Sequence, residues 1–184
     1  AKQLVQTLLG PSMFSGWGIR TLATDAERYN PMSYHNGSIW PHDNALIARG
    51  MANYHYTTEA QKIMQGLFDA SLFIDLQRLP ELFCGFERVK GQGPTAYPVA
   101  CSPQAWSVAS VFMLLQSCLQ IDIDARQKKV VFNKPSLPEY MQELHLSDLQ
   151  VTGGSVTIAF YRYESDLCIH VIHKPDDWEV VCLY

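Results

Sequence analysis

Near residue 120 the spacing of apolar residues changes from the three and four of a helix to the two of a strand. Helices and strands bury different sets of side chains, so this change forces two kinds of layer into one chain. The reading is a mainly α fold with a β appendage, α+β in class, with residues 1–120 helical and loop-rich and residues 121–184 an antiparallel β segment. A chain of 184 residues can build one domain with a real core, or one domain plus a small appendage.

In the helical part, Pro41 and Asp43 precede Ala45, Leu46, Ile47, Ala48 and Met51, and Asp43 is placed to cap a helix ending near Tyr54. Thr58 and Gln61 have the spacing of a capping box. The helix behind them carries Ile63, Met64, Leu67, Phe68, Ser71 and Ile74 on one face until Leu79-Pro80 stops it. Ser102 as N-cap with Pro103 at the first helical position predicts another helix, whose Val108, Ala109, Val111, Phe112, Met113, Leu114 and Leu115 are apolar nearly all round. Such a helix is expected to be buried on several sides. A further helix-like run (Leu4, Val5, Leu8, Leu9) starts at once after Ala1.

Beyond residue 120, Val130-Val131-Phe132 is a short strand, and Pro135 and Pro138 mark a connection. Runs at 156–161, 167–172 and 178–183 follow, separated by polar turns at Glu164-Ser165-Asp166 and Pro175-Asp176-Asp177. They predict an antiparallel meander, with Leu149-Gln150-Val151 an extra strand joined through Gly153-Gly154. His170 and His173, three apart on a strand, are expected on opposite faces, which separates them as joint ligands.

The net charge is −4 and no basic run exceeds Lys128-Lys129, which excludes nucleic acid and anionic membranes as expected partners and suits a neutral one. No apolar run reaches the length of a membrane span, and nothing at the start reads as a signal peptide. Five cysteines, odd in number and without a C-x-x-C spacing, favour a reduced, cytoplasmic location over a disulfide framework or a metal site.

The long loops at roughly 10–43 and 79–101 exceed the usual connection length, and such loops are commonly functional. One carries Tyr34-His35-Asn36-Gly37-Ser38-Ile39-Trp40-Pro41-His42-Asp43-Asn44. The other carries Leu79-Pro80-Glu81-Leu82-Phe83-Cys84-Gly85 and leads to Cys101-Ser102-Pro103-Gln104-Ala105-Trp106. Aromatic faces, amides and a carboxylate at helix ends suit a carbohydrate-cleaving site, where sugars stack and hydrogen-bond and the acetal needs acid and base groups. Each residue also has a plainer reading. Glu81 between Pro80 and Leu82 could be a solvated loop carboxylate, with Glu87 its local competitor and the Glu87-Arg88 pair an ordinary surface ion pair. Tyr34, His35, Asn36 and Trp40 could be loop packing. Trp17 and Arg20 could line a pocket or hold the long loop. Gln104 and Trp106 open a helix, where Trp106 is expected in the core. His35 and His42 have no further ligand at metal spacing, so no metal and no cofactor are expected.

These segments, with Gly16-Trp17-Gly18-Ile19-Arg20-Thr21-Leu22 before them, resemble the C-terminal part of the amylo-α-1,6-glucosidase, or glycogen-debranching, family. The resemblance runs from about Phe14 to Leu119 and more loosely through Leu137-Pro138 to the end. It implies a toroid of six helical hairpins, which needs roughly 300 to 400 residues, so the chain is expected to be a C-terminal portion. It also implies an inverting hydrolysis of α-1,6-glucosidic branch points in glycogen-like oligosaccharides or polysaccharides. In that reading Glu81 is the base, and Tyr34, His35, Asn36, Trp40, Trp17, Arg20 and Gln104 line the substrate. The general acid of similar enzymes is an Asp on an earlier helix-end loop. Nothing here matches its motif, and Asp25 and Asp43 are the nearest loop carboxylates. The chain alone is therefore expected to be inactive, with a possible homodimer through exposed helix faces. A carbohydrate-binding or structural piece, or a related toroidal glycosidase for trehalose or α-mannosides, are the alternatives.

Overall fold

The computed structural model describes residues 1–164 and 166–183, in two compact units, Ala1–Ser117 and Cys118–Tyr184. Among the described residues the architecture mixes four α-helices with two small sheets, in keeping with an α+β class.

In the first unit, α1 (Lys2–Leu8), α2 (Pro41–Asn53) and α3 (Thr57–Ser71) precede a short 3₁₀ turn (Asp75–Gln77), and α4 (Ala105–Leu119) follows, its last two residues already belonging to the second unit. Pro41 takes the first position of α2, where its missing N–H costs nothing, and Tyr54 ends the helix. Asp43 is not the cap; it sits in the first turn, where its charge meets the positive end of the helix dipole. Thr58 does not form the expected capping box either. The residue preceding α3 is Tyr56, without a side-chain cap, so Thr58 already lies inside the helix. The helix buries Ala60, Ile63, Met64, Gly66, Leu67 and Ala70 and packs against α2. It ends at Ser71, well before Leu79-Pro80, so Ile74 is outside it.

The two long loops are not loose connections. Isolated antiparallel bridges run Arg20 to Ile39, Ile39 to Phe83 and Phe83 to Ala96, stitching them into a miniature ladder. Ile39 and Phe83 exchange both backbone hydrogen bonds, at 2.9 and 3.1 Å, and both side chains are fully buried. At Gly85 an added Cβ would stand 1.6 Å from the Gly37 carbonyl oxygen, so only glycine lets the two loops approach this closely.

Helix α4 departs from expectation. Its inner side buries Ser107, Ser110, Leu114, Cys118 and Leu119, but Trp106 (44% exposed), Val108, Val111 and Phe112 (67% exposed) face outward. Among the described residues nothing covers that face, so an apolar surface all round a helix does not here mean burial all round.

In the second unit, β1 (Ile121–Asp124), β2 (Lys129–Asn133) and β6 (Glu179–Leu183) form one sheet, and β3 (Glu143–Val151), β4 (Gly154–Tyr163) and β5 (Asp166–His173) form another. The second sheet is the expected antiparallel meander, while β6 leaves it and pairs parallel to β2. Phe132 and Phe160 meet edge to face at 5.2 Å within a core that includes Val130, Val156, Ile158 and Trp178. Arg162 ties the proline-marked connection by donating to the carbonyls of Leu137 and Pro138. A register shift between Thr157 and Ile158 sets His170 opposite Ala159 and His173 opposite Thr157. Ala159 and Thr157 share a face of β4, so the two histidines also share one, contrary to simple alternation. The turn expected at Glu164-Ser165-Asp166 includes Ser165, which lies outside the described residues. All five cysteines are free, and among the described residues no helix is long and apolar enough to cross a membrane.

Candidate active site

Glu81 is held by its neighbours before any ligand is considered. Leu79 and Leu82 on either side are buried, which draws the loop against the core and leaves the Glu81 side chain only 8% exposed. A buried carboxylate needs hydrogen-bond donors. The Glu81 N–H donates to the Cys101 carbonyl at 2.8 Å. In return the Cys101 N–H donates to Oε2 at 3.2 Å, and the Tyr34 hydroxyl donates to Oε1 at 2.6 Å. The Tyr34 bond and the Cys101 N–H, with the charge of His42 when it is protonated, hold the Glu81 carboxyl below its ordinary pKa, and partial desolvation opposes them without reversing the sign. The same bond to Glu81 pushes the Tyr34 phenol up to about 12, so tyrosine keeps the proton and donates it. A carboxylate has roughly four lone-pair sites, so two donors leave room for a water.

Around this carboxylate the aromatic rings form a connected cluster. Tyr34 meets His35 at 4.7 Å, Trp40 at 4.8 Å and Tyr97 at 5.6 Å, all edge to face. Trp40 also contacts His42 and Trp106, and His42 lies flat on the Trp106 indole at 4.0 Å. Trp40 is 6% exposed and donates its indole N–H to Ser38 Oγ at 2.9 Å. It is therefore the support of the cluster, while Trp106, expected in the core, presents an open ring backed by His42. A cleft of about 310 Å³ adjoins the site through Pro80, Leu82, Tyr97, Ala100 and Ser102.

The other expected site residues divide. His35 and Asn36 are exposed beside Tyr34, and the Asn36 carbonyl accepts from the Asn30 N–H at 2.8 Å, closing the turn that carries them. Gln104 is half-buried, and its carbonyl accepts from the Val108 N–H at the start of α4. Trp17 and Arg20 do not join Glu81. Trp17 is covered by the Arg88 guanidinium, 4.5 Å from its ring, and by Phe73. Arg20 is buried and spends its guanidinium on the carbonyls of Gly85 at 2.7 Å and Pro11 at 3.2 Å. Both hold loops. Arg88 pairs with Asp69 at 2.6 Å rather than with Glu87. Asp43 is half exposed and lies 3.3 Å from His42 Nε2, and Asp25 is exposed.

Sequence reasoning missed Tyr97, the Cys101 N–H and Asn44. Asn44 accepts from the Ile19 N–H at 2.7 Å and donates to the carbonyls of Ile19 and Trp40 at 3.0 Å each, fixing the 17–20 loop to the start of α2. A ring next to Pro98 in a long loop was a usable signal for Tyr97, whereas a backbone N–H has none.

Residues 1–73 match the family model described as the mannosylglycerate hydrolase MGH1-like glycoside hydrolase domain. The match supports a glycoside hydrolase family. It does not single out the debranching enzymes. The matched residues include Trp17, Arg20, Tyr34, His35, Asn36 and Trp40 and stop before Glu81. No curated protein matches the chain.

Proposed function

We propose that the Glu81 cluster supplies the base side of an inverting α-glycosidase acting on α-1,6-glucosidic branch points of glycogen-like glucans. The observation that carries this reading is the setting of Glu81, a carboxylate held by two donors, the Tyr34 hydroxyl and the Cys101 N–H, beside a cluster of aromatic rings. Those donors favour the ionised form that a base needs, whereas a general acid needs its pKa raised. Glu81 would accept a proton from a water that attacks the anomeric carbon, Tyr34 and the Cys101 N–H would fix the carboxylate plane, and Trp106 would stack on a sugar ring. Inversion places the acid about 6.5–9.5 Å from the base, on the far side of the sugar. No carboxylate among the described residues is assigned to that role, and Asp25 and Asp43 are the first to test for it. The six-hairpin toroid and a cytoplasmic setting belong to the same proposal.

An α-mannoside substrate is the second reading, favoured by the description of the family that matches residues 1–73. Incubating the chain with α-glucosyl fluoride and α-mannosyl fluoride, whose fluoride leaves without a general acid, and identifying the sugar released, separates the two. Glucose from the glucosyl fluoride supports the first, and release of mannose alone replaces it with the second.

A further inference from the structure

The first unit holds another cleft that the Glu81 cluster leaves unused. It measures about 570 Å³, inside the roughly 300–1,000 Å³ range of small-molecule sites. Trp17, under the Arg88 guanidinium, lies at its base, and Phe73, 54% exposed, forms one wall. The other wall is the loop that carries Glu87, Arg88, Lys90 and Gln92. That loop is tied down: the Arg88 N–H donates to the Ser15 carbonyl at 2.8 Å, and the Gln92 N–H donates to the Val89 carbonyl at 3.1 Å across Gly91.

This cleft meets the one beside Glu81 at Phe73, which lines both. The ring stands edge to face with Trp17 at 6.0 Å. An added Cβ at Gly93 would lie 2.7 Å from the Phe73 Cβ, so the loop crosses directly over Phe73 between the two clefts. Beyond that crossing, Tyr97 lines the second cleft and contacts Tyr34, the partner of Glu81.

We propose that the 570 Å³ cleft is a further sugar-binding subsite, so that the candidate site takes a neutral oligosaccharide chain with one end at Glu81 and the rest across Phe73. The inference rests on the reading of Glu81 as a glycosidase base. Sugars offer C–H faces to aromatic rings and hydroxyls to polar side chains; Phe73 suits the first, and Glu87, Lys90 and Gln92 suit the second. The charges of the lining select a neutral ligand. Arg88 is paired with Asp69 at 2.6 Å, and Glu87 and Lys90 bring one charge of each sign, so an anion would meet no unopposed cation there. A chain that fills both clefts gains contacts at each while losing its translational freedom only once, so longer oligosaccharides should bind more tightly than a disaccharide.

The test is calorimetric titration of the chain with isomaltose, with maltopentaose carrying one α-1,6-linked glucose, and with α-mannosyl oligomers of two and six residues. In the series that binds, the six-residue ligand should bind at least about tenfold more tightly than the disaccharide. Phe73→Ala and, independently, the Lys90→Ala/Gln92→Ala double variant should bring the six-residue ligand down to the affinity of the disaccharide. All three replaced residues are exposed, and circular dichroism of each variant checks the fold. Equal affinity for two and six residues, or a gain that survives in both variants, overturns the inference and leaves the Glu81 reading, which fluoride release measures separately, in place. Binding of neither series overturns both.

Discussion

Asn44→Leu tests how the candidate site is held together. The replacement nearly preserves volume at a position that is 1% exposed, so it creates little cavity, but it removes every side-chain hydrogen bond at that point. The Trp40 carbonyl keeps a partner, since the Asn44 backbone N–H also donates to it at 3.1 Å. The Ile19 N–H and carbonyl lose the bonds of 2.7 and 3.0 Å that Asn44 provides. Each buried backbone group left unsatisfied costs about 1–3 kcal/mol, so the expected loss is about 2–6 kcal/mol. That is a large part of the roughly 5–15 kcal/mol that keeps a domain folded. Urea denaturation of wild type and variant, followed by tryptophan fluorescence and far-ultraviolet circular dichroism, reads the difference. A loss below about 1 kcal/mol would refute the claim that Asn44 fastens the 17–20 loop to α2.

Tyr34→Phe removes the largest influence lowering the Glu81 pKa, so that pKa should rise toward the ordinary carboxylate range; a carbon-13 titration of the Glu81 carboxyl that shows no movement would rule out the assigned cause. The linked stability has a definite sign: a depressed Glu81 pKa stabilises the fold above the ordinary carboxylate range, and the contribution disappears as pH falls through the lowered value, so acid unfolding of Tyr34→Phe should gain less on raising the pH across that window. Trp40→Ala and Trp106→Ala should differ in kind. The first, at a buried ring, should cost about 3–5 kcal/mol of stability, and the second about 1–3 kcal/mol of oligosaccharide affinity with little effect on folding; thermal melts beside sugar titrations distinguish them.

What could be read from the sequence was what is locally encoded. Pro41 marks the start of α2, and alternating apolar residues mark β4 and β5. The end of α3 at Ser71 was hidden because Leu72, Phe73 and Ile74 continue the apolar pattern without a breaker until Pro80. Strand β1 alternates Ile121, Asp122, Ile123 and Asp124, but it is short and half aspartate, a residue depleted in strands. The parallel pairing of β6 with β2 joins residues about fifty positions apart and has no local signature. At the site, Glu81 was visible as a carboxylate on a proline-marked loop beside apolar neighbours. Its partnership with Tyr34 spans 47 positions, and its other donor is a main-chain N–H. Trp106 shows the remaining limit, because the identity of a side chain does not say whether anything covers it.

The central claim is that Glu81 is a base for attack at an anomeric carbon, and glycosyl fluorides test it without the general acid, because fluoride departs without needing the proton that a sugar oxygen does. The measurement is fluoride release from α-glucosyl and α-mannosyl fluoride by this chain and by Glu81→Gln, with the anomer of the released sugar followed by proton NMR. The account predicts release of the β-anomer by the wild-type chain from at least one of the two fluorides, and a fall of about 10²-fold or more in Glu81→Gln, whose amide cannot accept the proton from water. Release that is unchanged in Glu81→Gln, release of the α-anomer, or no release above buffer from either fluoride would contradict it.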